Sequence, residues 1–516
     1  MGLAKKSASS SLILMIGQII STVIMAVASI FLARKLGDEQ YGVYAIILIP
    51  VSIMFLIQDL GTSPALTRFC AMYRHEDRQG DLREVVRTGL IFVSLISMAL
   101  SLVLYFLSGT IASAFLHRSE IGGLLEASSF MVLGSGLYGA IQSIFVGYER
   151  MGLRSVIDVF YSIIRSALVI SLLLIGLGTW GALLSLIIAY TMTGFLGVLL
   201  IIVFIKPSRG PRSQNSLHTL RLMLAYGFPS YVGSFLTGGL SYWCNSLMTV
   251  YVSNVLIGNY SAALNFIVPI SFVLVPIGTT LFPLFSKFNK NDPQLRMVFK
   301  KSVKYASLIV LPVMALLILI SGPLIQVVFP RGYTDAAFYL SLYLLTYAFE
   351  GLGGTSLANI IMGVGETRIV LWSSAATLLL GAPLALILIP RFQIVGLVAS
   401  LIIAPRLGWL IQYMWVRRVI GVSVDWVSSA RIYICCVISF VSGYLVLSLL
   451  HLSGWIALIS GSVVFLVFYL VALPLSRTLS KDDIINFRDM AKIMGPLSLF
   501  FDFILSLLQH LTMAVQ

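Results

Sequence analysis

Fourteen stretches of this 516-residue chain each run for about twenty residues with almost no charge, the length an α-helix needs to cross the hydrocarbon of a bilayer. By number they are 10–33, 42–60, 88–107, 124–146, 156–177, 181–205, 226–251, 260–285, 306–329, 336–362, 370–389, 394–415, 432–450 and 455–475. Inside a bilayer no water is present to satisfy backbone N–H and C=O groups, so only helices and closed barrels span it. These runs are continuous and lack the alternating ten-residue pattern of barrel strands. The expectation is an all-α polytopic membrane protein of about 14 transmembrane helices. Composition agrees: 59% of residues are hydrophobic and 10% charged, against about 25% charged in a soluble protein. The first run is too long for a cleaved signal and has thirteen others behind it, so it reads as a retained span.

The formal net charge of +14 raises the question of nucleic acid, and the placement of the charge answers it. Of the 34 Lys and Arg, 27 fall before the first segment, in every second loop, and in the tail after the last segment. The opposite loops hold Arg34, Lys35, Arg118, Arg331 and Arg391, while Arg165 and Arg406 sit within segments. By the positive-inside rule both termini are expected in the cytoplasm, in the cell membrane, with no nucleic-acid partner. Membrane lipids, anionic ones included, are the expected surroundings.

A weak repeat organises the chain. Residues 41–69 recur without a gap at 260–288, pairing Tyr41 with Tyr260, Pro50 with Pro269, Pro64 with Pro283 and Arg68 with Lys287. The echo lies six segments on, so both copies cross in the same direction, as in transporters built from two parallel halves. This predicts two pseudo-symmetric six-helix lobes, at 1–205 and 226–415, joined by a basic, Pro/Gly/Ser-rich linker at 206–225. Two extra C-terminal helices follow in 416–476. The tail at 477–516 reads as cytoplasmic and amphipathic: Ser480 and Asp483 have capping-box spacing, and the polar stripe within 497–513 suits an interfacial helix, the alternative being a fifteenth span that would move the C-terminus outside.

No P-loop and no Rossmann glycine pattern is present, and the five histidines are scattered without ligand spacing. Cys70, Cys244, Cys435 and Cys436 show no metal spacing either and read as small buried hydrophobes. An enzyme is not expected, and no metal or cofactor is implied. The informative polar residues are those inside spans, because ionisable groups there are costly. Asp59, Arg165, Glu350 and Arg406 are the deep ones. Arg154, Asp158 and Arg165 share one helix face, and Arg406 shares a face with Arg417, so two basic stripes lead into the membrane and could guide an anionic headgroup. The alternative is two buried ion pairs, Asp59 with Arg165 and Glu350 with Arg406. Arg68 and Lys287, related by the repeat, are either positive-inside anchors or phosphate ligands at the mouth of a cleft. The four repeated prolines mark either hinges or packing bends.

The runs LARKLGDEQYGVYA (32–45), DLGTSPALTRF (59–69), GNYSAALNFIVPI (258–270) and SGPLIQVVFPRGYTDAAFYLSLYLL (321–345), with the turn GVGETR (363–368), resemble the polysaccharide-transport family. These are the Wzx-like oligosaccharide flippases of the multidrug/oligosaccharidyl-lipid/polysaccharide exporter superfamily. The resemblance covers segments 1–12. It implies a MATE-like pair of six-helix bundles around a central cavity, and flipping of a polyprenyl-(pyro)phosphate-linked oligosaccharide by alternating access, with glycan-assembly proteins as candidate partners. By their placement, Arg68, Lys287, Arg165 and Arg406 are the candidate ligands of the substrate phosphate, Asn245 and Asn265 are further substrate-binding candidates, and Gln18, Tyr242 and Trp243 could also line the cavity. Asp59 and Glu350 would serve ion coupling or ion pairing. Segment 1 lacks the carboxylate typical of the superfamily's drug exporters and the Arg of its peptidoglycan-precursor flippases. A cation-coupled small-molecule exporter of the same fold remains the alternative, and a membrane glycosyltransferase is a third reading disfavoured by the short loops.

The charge pattern has a direct consequence for topology. A cysteine introduced at Ser119 should react with a membrane-impermeant maleimide in intact cells, and one at Ser213 only after the membrane is opened. The reverse pattern would invert the assigned orientation.

Overall fold

The structure, a computed structural model, describes residues 2–205, 215–329, 332–479, 483–486, 488, 506, 508 and 509. Every regular element among them is helical. The first half of the chain runs through α1 (Gly2–Asp59), α2 (Thr62–His75), α3 (Gln79–Thr110), α4 (Gly122–Gly147), α5 (Met151–Leu174), α6 (Gly178–Leu200) and α7 (Ser216–Tyr251). Then come α8 (Asn254–Leu264), α9 (Val268–Phe285), α10 (Pro293–Val328), α11 (Ala336–Leu344), a 3-10 stretch (Leu345–Leu352) and α12 (Gly354–Gly363). The chain closes with α13 (Thr367–Trp415), α14 (Trp426–Leu449) and α15 (Gly454–Leu475).

All fourteen apolar segments lie in these helices. Ten continuous helical stretches among the described residues are long and apolar enough to cross a membrane, and two of them hold two segments each. The first bends at Gly37, whose φ of 73° with ψ of 173° suits glycine alone. The other, α13, turns at Gln393 (φ 52°). The tenth segment is divided among α11, the 3-10 stretch and α12. The seventh, α7, falls short of the apolar threshold because Ser230, Ser234, Thr237, Ser241 and Asn245 interrupt it. Residues 216–225, expected in the linker, are the first turns of α7; the remainder of that linker, 206–214, lies outside the described residues.

The repeated prolines are used unequally. Pro269 opens α9, and Pro64 falls in the first turn of α2, positions where a missing N–H leaves no bond unmade. Their repeat partners Pro50 and Pro283 sit inside helices. The same letters therefore start a half-helix in one copy and lie inside a helix in the other.

The chain forms two compact units, Met1–Asn265 with Ala382–Leu397, and Phe266–Gly381 with Val398–Gln516. The first has a core in which Leu66, Cys70, Val85, Ile144, Phe145 and Ile157 pack where α2 to α5 meet. The second has one built from Phe285, Phe299, Leu357, Ile360, Val416 and Ile420. All four cysteines are free and buried. The Asp483 carboxylate accepts from Lys304 Nζ at 2.5 Å and Tyr305 Oη at 2.9 Å, pinning the start of the tail to α10. Ser480, its expected capping partner, and most of 497–513 lie outside the described residues.

In the first unit α1 and α8 touch backbone to backbone. A Cβ on Gly42 would stand 1.8 Å from the Asn254 carbonyl oxygen, and one on Gly258 would stand 1.8 Å from that of Asp38. Gly258→Ala should therefore lower the detergent-solubilised protein's stability by about 1–3 kcal/mol. Gly109→Ala, whose Cβ meets nothing within 4 Å, should leave it unchanged or raise it. Thermal unfolding of the two variants checks this.

Candidate functional site

Segment 2 ends in a break that builds the site. Leu60 and Gly61, at φ 39° and 82°, turn the chain out of α1, and α2 begins at Thr62. The first N–H groups of a helix have no partner within it, and no water supplies one in a membrane. Asp59 supplies it: its Oδ1 accepts from the Ser63 N–H at 3.1 Å and from the Thr62 hydroxyl at 3.5 Å. The preceding residue, Gln58, is buried and fully bonded. Its Nε2 donates to the Val132 carbonyl at 2.7 Å and to the Ser97 hydroxyl, and its Oε1 accepts from Ser135 at 3.2 Å. The break is thereby tied to α3 and α4. On its other side Gly61 meets Gly227 of α7, where a Cβ on Gly61 would lie 2.1 Å from the Gly227 carbonyl oxygen.

Directly beyond the break is a pocket of about 590 Å³, walled by α2, α4, α5 and α7. Arg68 and Arg154 line it together with Ser63, Thr67, Gln142 and Tyr226, and no carboxylate is among its lining residues. The exposed Arg68 guanidinium lies 4.1 Å from the centre of the Tyr226 ring, a cation–π contact. Arg154 Nε is buried without a hydrogen-bond partner; the nearest carboxylate oxygen, Asp158 Oδ2, is 3.9 Å away. The other Asp158 oxygen accepts from Tyr138 Oη at 2.9 Å and Gln142 Nε2 at 2.5 Å. Much of its charge is thus engaged by neutral donors.

Farther along α5, the side chains of Arg154, Asp158, Tyr161 and Arg165 follow at helical spacing on one face. Arg165 donates to Tyr44 Oη at 3.3 Å and points a second N–H at Met25 Sδ, 3.2 Å away. Around it the rings of Tyr138, Tyr161 and Tyr190 pack with centroids 4.8–5.8 Å apart. Tyr44 stacks on Tyr41 at 6.0 Å, and Tyr41 Oη accepts from Asn265 at 3.1 Å. A polar and aromatic ladder therefore leads from the arginine pocket into the first unit.

The second unit repeats the capped break with different residues. Gly353, at φ 83°, ends the 3-10 stretch, and Glu350 Oε2 accepts from the Thr355 N–H of α12 at 3.0 Å. Arg406 lies over the Phe349 ring and donates to the carbonyls of Ile402 and Thr346 at 2.7 and 3.3 Å. Neither expected ion pair forms: among the described residues no Asp59–Arg165 or Glu350–Arg406 contact falls within 4.0 Å. Both acids are instead turned toward backbone amides that would otherwise be unpaired.

Lys287 is exposed just after α9, in the second unit. Asn245 and Tyr242 are part-buried on α7, Gln18 is exposed on α1, and Trp243 donates to the Ala382 carbonyl at 3.0 Å. Of the expected site residues, the pocket includes Arg68 alone. Tyr226, Thr67 and Gln142 escaped sequence reasoning because neutral residues on three different helices leave no linear signal. Tyr161 had one: it falls three residues after Asp158 and four before Arg165, on the face already marked as basic.

Comparisons with known proteins agree with this architecture. Residues 7–289 match the family described as polysaccharide biosynthesis protein. A Shigella flexneri protein provisionally named an O-antigen transporter is 23% identical over 425 residues, covering 78% of this chain and 96% of that one. Among solved structures, lipid II flippase MurJ in an inward closed conformation aligns with a TM-score of 0.72 at 16% identity, covering 90% of this chain and 99% of that one. An inward-facing multidrug resistance MATE family transporter gives 0.65 at 16% identity, over 78% and 94%.

If Asp59 and Glu350 serve as helix caps, a neutral side chain with the same acceptor replaces them. Asp59→Asn and Glu350→Gln should keep the wild-type thermal stability, whereas Asp59→Ala should lose about 1 kcal/mol. Equal losses in Asp59→Asn and Asp59→Ala would mean that the negative charge itself is required.

Proposed function

Because this chain belongs to the polysaccharide biosynthesis protein family, we propose that it is a flippase of the multidrug/oligosaccharidyl-lipid/polysaccharide exporter superfamily. It moves a polyprenyl-(pyro)phosphate-linked oligosaccharide from the cytoplasmic to the outer leaflet of the cell membrane by alternating access. Both termini face the cytoplasm in this reading. The lipid tail stays in the bilayer while the charged, sugar-bearing head crosses inside the protein. The step is transport, with no bond made or broken, and glycan-assembly proteins are the natural suppliers and consumers of the cargo.

The observation that carries this reading is the pocket of Arg68 and Arg154, a lining with two guanidinium groups and no carboxylate. Such a wall favours an anion and disfavours a cationic drug. Arg165 and Arg406, deeper in their own units, act as later cationic stations in this scheme, and Lys287 is the second unit's counterpart of Arg68. Asn245 and Asn265 offer amides to sugar hydroxyls. The likeness to MATE structures keeps a cation-coupled exporter as the competing reading. That mechanism needs a carboxylate free to exchange an ion, and Asp59 and Glu350 both accept hydrogen bonds from helix-starting amides.

Reconstituted in proteoliposomes with a lipid-linked oligosaccharide, the protein should expose the head to an outside probe. The Arg68→Gln/Lys287→Gln double variant should slow that exposure at least about tenfold, as expected when charge-assisted contacts are lost. No protein-dependent exposure, together with efflux of a cationic dye down an ion gradient, would establish the exporter instead.

A further inference from the structure

We propose that the pocket between α2, α4, α5 and α7 is the loading site for the diphosphate of the carrier lipid, with Arg154 as its second phosphate ligand beside Arg68. The inference rests on the flippase reading and adds the place, the ligand and the partner residues.

Four features lead to it. The Arg154 Nε–H is buried and makes no hydrogen bond; its ion-pair partner Asp158, 3.9 Å away, is itself bonded by Tyr138 and Gln142. A buried donor in that condition is matched by an anion arriving in the pocket. Arg68 lies over the Tyr226 ring, a neighbour that does not cancel its charge, and a guanidinium can fork onto phosphate oxygens. Ser63 places a hydroxyl in the same wall, beside Thr67, whose own hydroxyl donates to the Ser143 carbonyl at 3.3 Å, and a diphosphate has more oxygens than two arginines engage. The volume of about 590 Å³ is in the range of small-ligand sites and admits a diphosphate with its first sugar.

Depth supports the same ligand. Arg68 follows the end of segment 2, Arg154 precedes segment 5, and Tyr226 opens segment 7, so the pocket lies at the level of the expected cytoplasmic membrane surface. The phosphates of a lipid whose tail remains in the bilayer lie at that level too. A phospholipid headgroup shares the chemistry but carries a single phosphodiester, which offers one phosphate to two guanidinium groups, one of them already 3.9 Å from the Asp158 carboxylate. The multiply charged diphosphate matches them better.

The test is calorimetric titration of the full chain in detergent with inorganic pyrophosphate. Arg68→Gln and Arg154→Gln should each weaken binding about tenfold or more. Arg154→Lys should retain part of it, and Arg150→Gln, outside the pocket lining, should change nothing. Micellar phosphatidylglycerol should fail to displace pyrophosphate; displacement at equal concentration would give the pocket to phospholipid and overturn the assignment. If Arg154→Gln does not fold, the exposed Arg68→Gln and the retained binding of Arg154→Lys carry the test. Pyrophosphate binding that ignores both arginines, in a protein that still translocates lipid-linked oligosaccharide, would overturn the pocket and leave the transport reading standing. Arginine-dependent binding without translocation would support the pocket and remove the flippase reading.

Discussion

A helix interrupted within a membrane must find partners for the amides it frees, and in this protein two carboxylates provide them. Asp59 bonds the Ser63 N–H after the turn at Leu60 and Gly61, and Glu350 bonds the Thr355 N–H after Gly353. Without such caps the breaks would leave unsatisfied N–H groups in a medium that offers no replacement. Each break redirects the chain, and the first aims α2 so that Ser63, Thr67 and Arg68 face α5 and α7. The acids that looked like charge partners of deep arginines thus cap helices, one of them beside the proposed site.

That arrangement leaves the arginines available. Arg165 is surrounded by tyrosines and a methionine, Arg406 by a phenylalanine ring and carbonyls, and Arg68 by Tyr226. Rings and carbonyl dipoles tolerate a guanidinium without cancelling its charge as a carboxylate would. In the proposed role such partial support is an advantage, because a full ion pair would have to be broken in every cycle.

The architecture was legible in the chain because bilayer thickness and backbone hydrogen bonding impose one pattern, about twenty apolar residues per crossing. Even the tenth segment, divided among three helical pieces, kept that signature. The breaks themselves were less visible. Gly61 and Gly353 look like many other glycines in spans, and nothing in the letters distinguishes a capping Asp59 from a paired one. The repeat also promised more symmetry than the fold delivers, since Pro64 begins a half-helix while Pro283 lies within one. Of the pocket, Arg68 was singled out and Arg154 marked as part of a basic face. Their neutral neighbours come from distant stretches of sequence, and only packing brings them together.

The contact between Gly61 and Gly227 carries one more implication. Tyr226 precedes Gly227, so the close approach of two bare backbones fixes where its ring meets Arg68. The shape of the pocket wall is therefore set by two residues that have no side chain of their own. Any side chain at either place would push α7 away from α2 and carry the aromatic platform off the guanidinium while every charge stayed in place. Relatives that keep all the arginines but exchange one of these glycines would thus have a differently shaped receptor, and a comparison of charged positions alone would mistake them for equivalents.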